Sequence, residues 1–298
     1  MAEPSNMLCF LLIDADIYID GTKFDINNHE KFFEKAASPF VNAVHTIRTI
    51  QSSTLKNTFR TVLDTIRAPE NTVTNVWFHM ICRYSEFEGT SSFLFHDNTV
   101  FSSADNGVTD KGFRSFLKYI PSHMHVVVTV DAPRSSKLGR LKYLYNGRNF
   151  LRPYLNNPQP DIHVPANVFV LAAAYEDEPI NGVGSFMIPW DTDLTDEASD
   201  ERYDKTIGNE FDKLVKNVDG ATDGLDGGEH IMLFTVLLLR SMHYHWMKDG
   251  ALPSFLVLHT RLLYMHDLCV AHRDSIVAIP NLSGESPPSF ALTNGARN

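Results

Sequence analysis

VVVTVDAPRSS, residues 126–136, decides how this chain is read. Val126 to Val130 is its most β-prone run, because branched side chains pack well on a pleated surface. It is apolar at nearly every position, as a strand covered on both faces must be. Asp131 and Pro133 then end it and open a loop.

Other runs repeat this pattern. Leu8 to Ile13 (LCFLLI) is a continuous apolar segment ending at Asp14, Val76 to Ile81 (VWFHMI) is a second, and Val168 to Ala172 (VFVLA) a third, with a shorter run at Ser92 to Phe95. Helical spacing separates them. Phe32, Phe33, Ala36, Phe40, Val44 and Ile47 recur at three-to-four intervals over 29–50, and Phe59, Val62, Leu63 and Ile66 follow after Ser52-Ser53, with Pro69 as the stop. A helix is expected at 109–120, with Phe113, Phe116 and Leu117 inward. A largely buried one is expected at 229–246, and another at 254–268. Strands alternating with helices predict an α/β fold with a mostly parallel sheet covered on both faces, a three-layer sandwich. Ligands in such sheets sit at the carboxyl ends of strands, so the loops after Ile13, Ile81, Val130 and Ala172 carry the function.

Composition narrows the function classes. The chain has 298 residues, 43% of them hydrophobic, enough for one sizeable core. Cys9, Cys82 and Cys269 are scattered without paired spacing, which argues against disulfides and zinc knuckles and for a reducing compartment, the cytoplasm with or without the nucleus. The N-terminal run is interrupted by Asp14 and Asp16 and lacks a basic start, unlike a signal peptide. No apolar run approaches the length of a membrane span, so a soluble protein is expected. A net charge of −10 disfavours nucleic acid and anionic membranes. Residues 191–228 hold twelve acidic against four basic side chains, so net −8 of that total sits in one segment. It reads as a solvated, flexible acidic insertion.

The 126–136 segment resembles the caspase and metacaspase strand and loop in which Asp, any residue and the nucleophilic Cys follow a β-rich run. Pro133 stands at the cysteine position. VWFHMICRYSEF resembles the earlier strand whose Gly-His-Gly turn carries the catalytic histidine, with Cys82, Arg83 and Tyr84 on those three positions and Arg83 for the histidine. SSTLKNTFRTVLDTIRAPENTVTN, GVTDKGFRSFLKYIP, VFVLAAAYEDEPI, FTVLLLRSM and IPNLSGESPPSF resemble further family segments in order, so the resemblance covers nearly the whole chain and is nearest to fungal caspase-domain proteins. It implies one caspase-like domain over 1–298, with a large portion at 1–180, the acidic insertion at 187–228 and a small portion at 229–298.

The resemblance also implies a degenerate dyad. Arg83 cannot serve as a base, since guanidinium stays protonated. Proline at 133 supplies neither a thiolate nor the backbone N–H that the family uses as an oxyanion donor. The expected function is therefore that of a pseudoprotease, a regulatory or binding protein. Its partner would be another protein, such as an active paralogue or a peptide in the vacated cleft, with a homo- or heterodimer through a sheet edge as one form. The alternative is a divergent cysteine-type hydrolase cleaving after basic residues, with Cys82 or Ser135 as nucleophile.

Asp131 is the candidate pocket residue for a basic peptide side chain, weighed against capping nearby N–H groups. Cys82 is the candidate reactive thiol, because the neighbouring Arg83 cation favours a thiolate. Ser135 and Ser136 read as turn serines. His123 with His125 and His243 with His245 lack a third ligand. Asp191, Asp193, Asp196 and Asp200 faintly resemble a calcium loop but lack its glycine and its twelfth-position glutamate, so calcium is the one cofactor left open. Gly182-Val-Gly184 follows its strand too late for the phosphate loop of a nucleotide binder.

Overall fold

Apolar runs far apart in the chain meet as neighbouring parallel strands. In the computed structural model the described residues are 7–14, 18–19, 22–23, 26–48, 52–68, 72–87, 90–94, 107–132, 135–145, 154–155, 162–164, 167–173, 187–189, 230–250, 252–254, 257–262 and 281–284. In chain order the strands are β1 (Met7–Ile13), β2 (Tyr18–Ile19), β3 (Thr22–Lys23), β4 (Ala43–Arg48), β5 (Asn75–Ile81), β6 (Arg83–Phe87), β7 (Thr90–Leu94), β8 (Gly107–Thr109), β9 (His125–Asp131), β10 (Tyr143–Tyr145), β11 (Tyr154–Leu155), β12 (Asn167–Ala172), β13 (Met187–Pro189), β14 (His230–Met232) and β15 (Asn281–Gly284). The helices are α1 (Ile26–Ala37), α2 (Ser52–Arg67), α3 (Asp110–Leu117) and α4 (Leu233–Asp249), and Ser135–Arg140 forms a 3-10 turn.

The main sheet has eight strands in the order β11-β10-β15-β12-β9-β5-β1-β4. From β4 to β12 every pair is parallel, whereas β15, β10 and β11 join antiparallel. Small antiparallel sheets are formed by β6-β7-β8, β2-β3 and β13-β14.

Side-chain alternation divides the sheet into two faces. Phe10, Phe78, Val128 and Val170 share one core with Val62 and Ile66 of α2 and Phe113, Phe116 and Leu117 of α3. Phe116 stacks on Phe59 at 4.3 Å and meets Phe78 edge-on at 5.6 Å. On the other face Phe33 of α1 stacks on His79 at 4.5 Å, and Phe40 meets Trp246 of α4 at 5.8 Å. The α/β class and the helix-covered, largely parallel sheet expected from the pattern are therefore observed.

Local chemistry sets the helix ends. Thr109 caps α3, its hydroxyl accepting the Gly112 N–H. The continuous pattern over 29–50 is corrected: α1 stops at Ala37, Pro39 follows in the turn, and Val44 and Ile47 belong to strand β4. A mixed apolar spacing fits both periods, and the proline together with the branched residues of AVHTIR decides for a strand. The helix expected from 229 starts at Leu233, because His230–Met232 pair with β13. Of the helix expected at 254–268, residues 257–262 are helical and 263–268 lie outside the described residues. So does the acidic segment apart from 187–189. β15, from the expected small portion, pairs with β12 of the large one. Among the described residues no helix is long and apolar enough to cross a membrane.

Phe78 is fully buried at the centre of the α2/α3 core. Phe78→Ala should cost about 3–5 kcal/mol in urea denaturation. Tyr119→Ala, at an exposed site, should change stability by no more than about 0.5 kcal/mol.

Candidate functional site

Four parallel strands end level with one another. Ile13 of β1, Ile81 of β5 and Asp131 of β9 are register partners in turn, and Val130 pairs with Ala172 of β12. The ladder runs one residue further: the Asp14 N–H donates to the Ile81 carbonyl at 2.9 Å, Cys82 N–H to Asp131 at 3.4 Å and Ala173 N–H to Val130 at 2.8 Å. This fixes the backbone on which the candidate side chains sit.

Arg83 does not stand in a turn. It opens β6, and Tyr84 pairs with Phe93 of β7, which corrects the turn expected at 82–84. The Arg83 Nε–H donates to Asp14 Oδ2 at 2.6 Å, and the Asp14 carboxylate is completely buried while 22% of the Arg83 side chain is exposed. A buried carboxylate is tolerated when a cation and hydrogen bonds replace its water.

Asp131 is also completely buried. Its Oδ2 accepts the Thr235 backbone N–H at 3.1 Å and the Thr235 hydroxyl at 2.8 Å. Thr235 lies in the first turn of α4, where N–H groups lack intrahelical partners and the helix dipole favours an anion. Asp131 thus caps a helix 104 residues away, the capping role weighed against the pocket role.

The thiol expected to be activated is held the other way. Cys82 belongs to the core on the α2/α3 face, whereas Asp131 reaches α4 on the opposite one. Burial pushes the Cys82 thiol well up from its usual value, the Asp14 and Asp131 carboxylates add to the rise, and the Arg83 cation offsets only part of it. The neighbouring arginine is too small an influence to make the thiolate. Ser135 is buried at the start of the 3-10 turn. Arg114 of α3 ties that turn down, donating to the Gly139 and Arg140 carbonyls at 3.0 and 2.9 Å and to Ile162 at 2.7 Å.

Pro133 lies outside the described residues, as do Asp191, Asp193, Asp196 and Asp200. His123 is in the turn before β9 and His125 in the strand, so the two do not share a strand face. His243 and His245 both lie within α4. Among the described residues no group of three or more His, Cys, Asp or Glu side chains is placed to hold a metal ion.

Four residues of the site carry only faint signals in the sequence. Asp14 shows in the sequence as the acidic end of the first apolar run, with nothing to mark its ion pair. His79 and Thr129 are polar interruptions in otherwise apolar strands, a signal for a buried network. Thr235 lies at the start of FTVLLLRSM, a pattern that marks the segment but not the contact.

No protein-family model matches the chain, and no curated protein matches it. Among solved structures it is similar to caspase-1 from Spodoptera frugiperda, at 11% identity with 93% of this chain and 87% of that one covered and a TM-score of 0.47. It is also similar to a protein from Geobacter sulfurreducens, at 12% identity, 97% of each chain and a TM-score of 0.46. Neither likeness bears on function, and the fold rests on the strand order and helix packing described above.

Cys82 in the folded protein should resist a thiol reagent at pH 7 and react at once in denaturant, because the thiol is buried and its pKa raised. Rapid native-state labelling at Cys82, located by mass spectrometry, would contradict this placement.

Proposed function

We propose that the chain is a caspase-like pseudoprotease that acts by binding another protein. The observation that carries the proposal is the Arg83–Asp14 ion pair at the carboxyl edge of the sheet. Arg83 is the residue the resemblance puts at the family's histidine position, and a guanidinium held by a carboxylate neither takes nor gives a proton at working pH. Pro133, by its chemistry alone, offers no nucleophile and no N–H for an oxyanion.

The divergent-hydrolase reading needs Cys82 or Ser135 as nucleophile. Burial of both side chains and the raised thiol pKa count against it. A basic side chain approaching Asp131 would have to compete with Thr235, which already donates twice to that carboxylate. Partner binding then falls to the surface at the strand ends or to a sheet edge such as β4, whose residues are only partly covered.

Purified protein should turn over no Arg- or Lys-containing peptide above the buffer rate, and no covalent adduct should form with cysteine- or serine-directed peptide inhibitors. Turnover that disappears in Cys82→Ala or Ser135→Ala would overturn the proposal in favour of the hydrolase.

A further inference from the structure

We infer that Trp77, Thr129, His79, Thr235 and Asp131 form one directional hydrogen-bond chain that latches helix α4 onto the sheet, and that acid opens the latch. All five side chains are buried. The direction follows from the two ends. An ionised carboxylate only accepts, so the Thr235 hydroxyl donates to Asp131 at 2.8 Å. Its oxygen is then free to accept from His79 Nε2, 3.1 Å away, so that nitrogen carries the proton. A neutral ring protonated there has a bare Nδ1, which accepts from the Thr129 hydroxyl at 2.7 Å. Thr129 in turn accepts the Trp77 indole N–H at 2.8 Å. An indole can only donate, and with the Phe78 carbonyl 3.5 Å away the Thr129 hydroxyl proton has its good acceptor in Nδ1, so this end of the chain assigns the same tautomer to His79.

A second proton on the ring reverses one link. Nδ1–H would face Thr129, whose own hydroxyl proton would be left with the Phe78 carbonyl at 3.5 Å, too far for a good bond. Among the described residues, His29 of α1 acts on the ring, and Asp131 at the end of β9 is linked to it through Thr235. Its β1 neighbour Leu11 and Thr235 itself on α4 carry no charge. Burial holds the His79 pKa well below its usual value and His29 lowers it further, while burial alone puts His29 at about 3.

With folded-state pKa values depressed, the opened state binds more protons than the latched one. The latch is therefore fully present above the ordinary histidine value near 6.5 and is lost as pH falls below it. His79, once exposed by the opening, contributes about tenfold per pH unit to that equilibrium.

Two measurements on the full chain test this. Nitrogen NMR at pH 7 should find His79 neutral and protonated on Nε2; an Nδ1–H ring or an imidazolium would overturn the chain. Hydrogen exchange of the α4 amides, corrected for intrinsic rates, should accelerate steeply between pH 6.5 and 5. His79→Gln should lower that steepness by about tenfold per pH unit, and an unchanged profile would overturn the acid response. Should His79→Gln fail to fold, Thr235→Ser should keep the pH 7 exchange protection of the α4 amides and Thr235→Val, which cannot donate to Asp131, should lose it. Equal α4 protection in both would refute the latch.

Discussion

The in-register parallel pairing of β1, β5, β9 and β12 is the constraint on which everything else depends. Parallel strands need crossovers, and the crossovers here supply α1, α2 and α3, which cover the two faces. Because strand side chains alternate with period two, a slip of one residue between β5 and β9 would send Thr129 and Asp131 into the α2/α3 core and Val130 toward α4. The buried polar pairs penalise such a slip. Trp77, His79, Thr129 and Thr235 meet their partners in only one register.

The carboxyl edge of the sheet reads as a structural joint. Asp14 binds Arg83 of β6, and Asp131 binds the first turn of α4, so two buried carboxylates each fasten a later element to the strand ends. Chemistry at such an edge would require a group able to exchange protons near an exposed nucleophile. Besides the two carboxylates, the described residues there include Arg83, Ala132, Ala173 and the buried Cys82 thiol with its raised pKa. The proposed pseudoprotease and the proposed latch both draw on Asp131, but the first rests on Arg83 and the second on His79, so either can fail alone.

Strong periodicity made much of the fold legible in the sequence. The runs at 8–13, 76–81, 126–130 and 168–172 have one period, clear stops and enough length, and each became a strand of the main sheet. The 29–50 segment departs from its helical pattern because Phe40, Val44 and Ile47 satisfy helical spacing, while the strand character of Val44 and Ile47 shows only once β1 offers an edge to pair with. The site was legible in part. The strand ends could be located, yet the Asp14–Arg83 and Asp131–Thr235 contacts span 69 and 104 residues, and no local pattern encodes which distant donor a carboxylate will find. The arginine beside Cys82 was visible, but its effect was not, since burial and two carboxylates decide the sign.

The central claim is that Arg83 serves as the structural partner of a buried carboxylate where the resemblance puts a base. A double-mutant cycle with Arg83→Ala and Asp14→Ala, read by urea denaturation, tests it most directly. The account predicts a coupling energy of about 1–3 kcal/mol, with either single variant nearly as damaging as both together. Additive effects, with no coupling between the two positions, would contradict it.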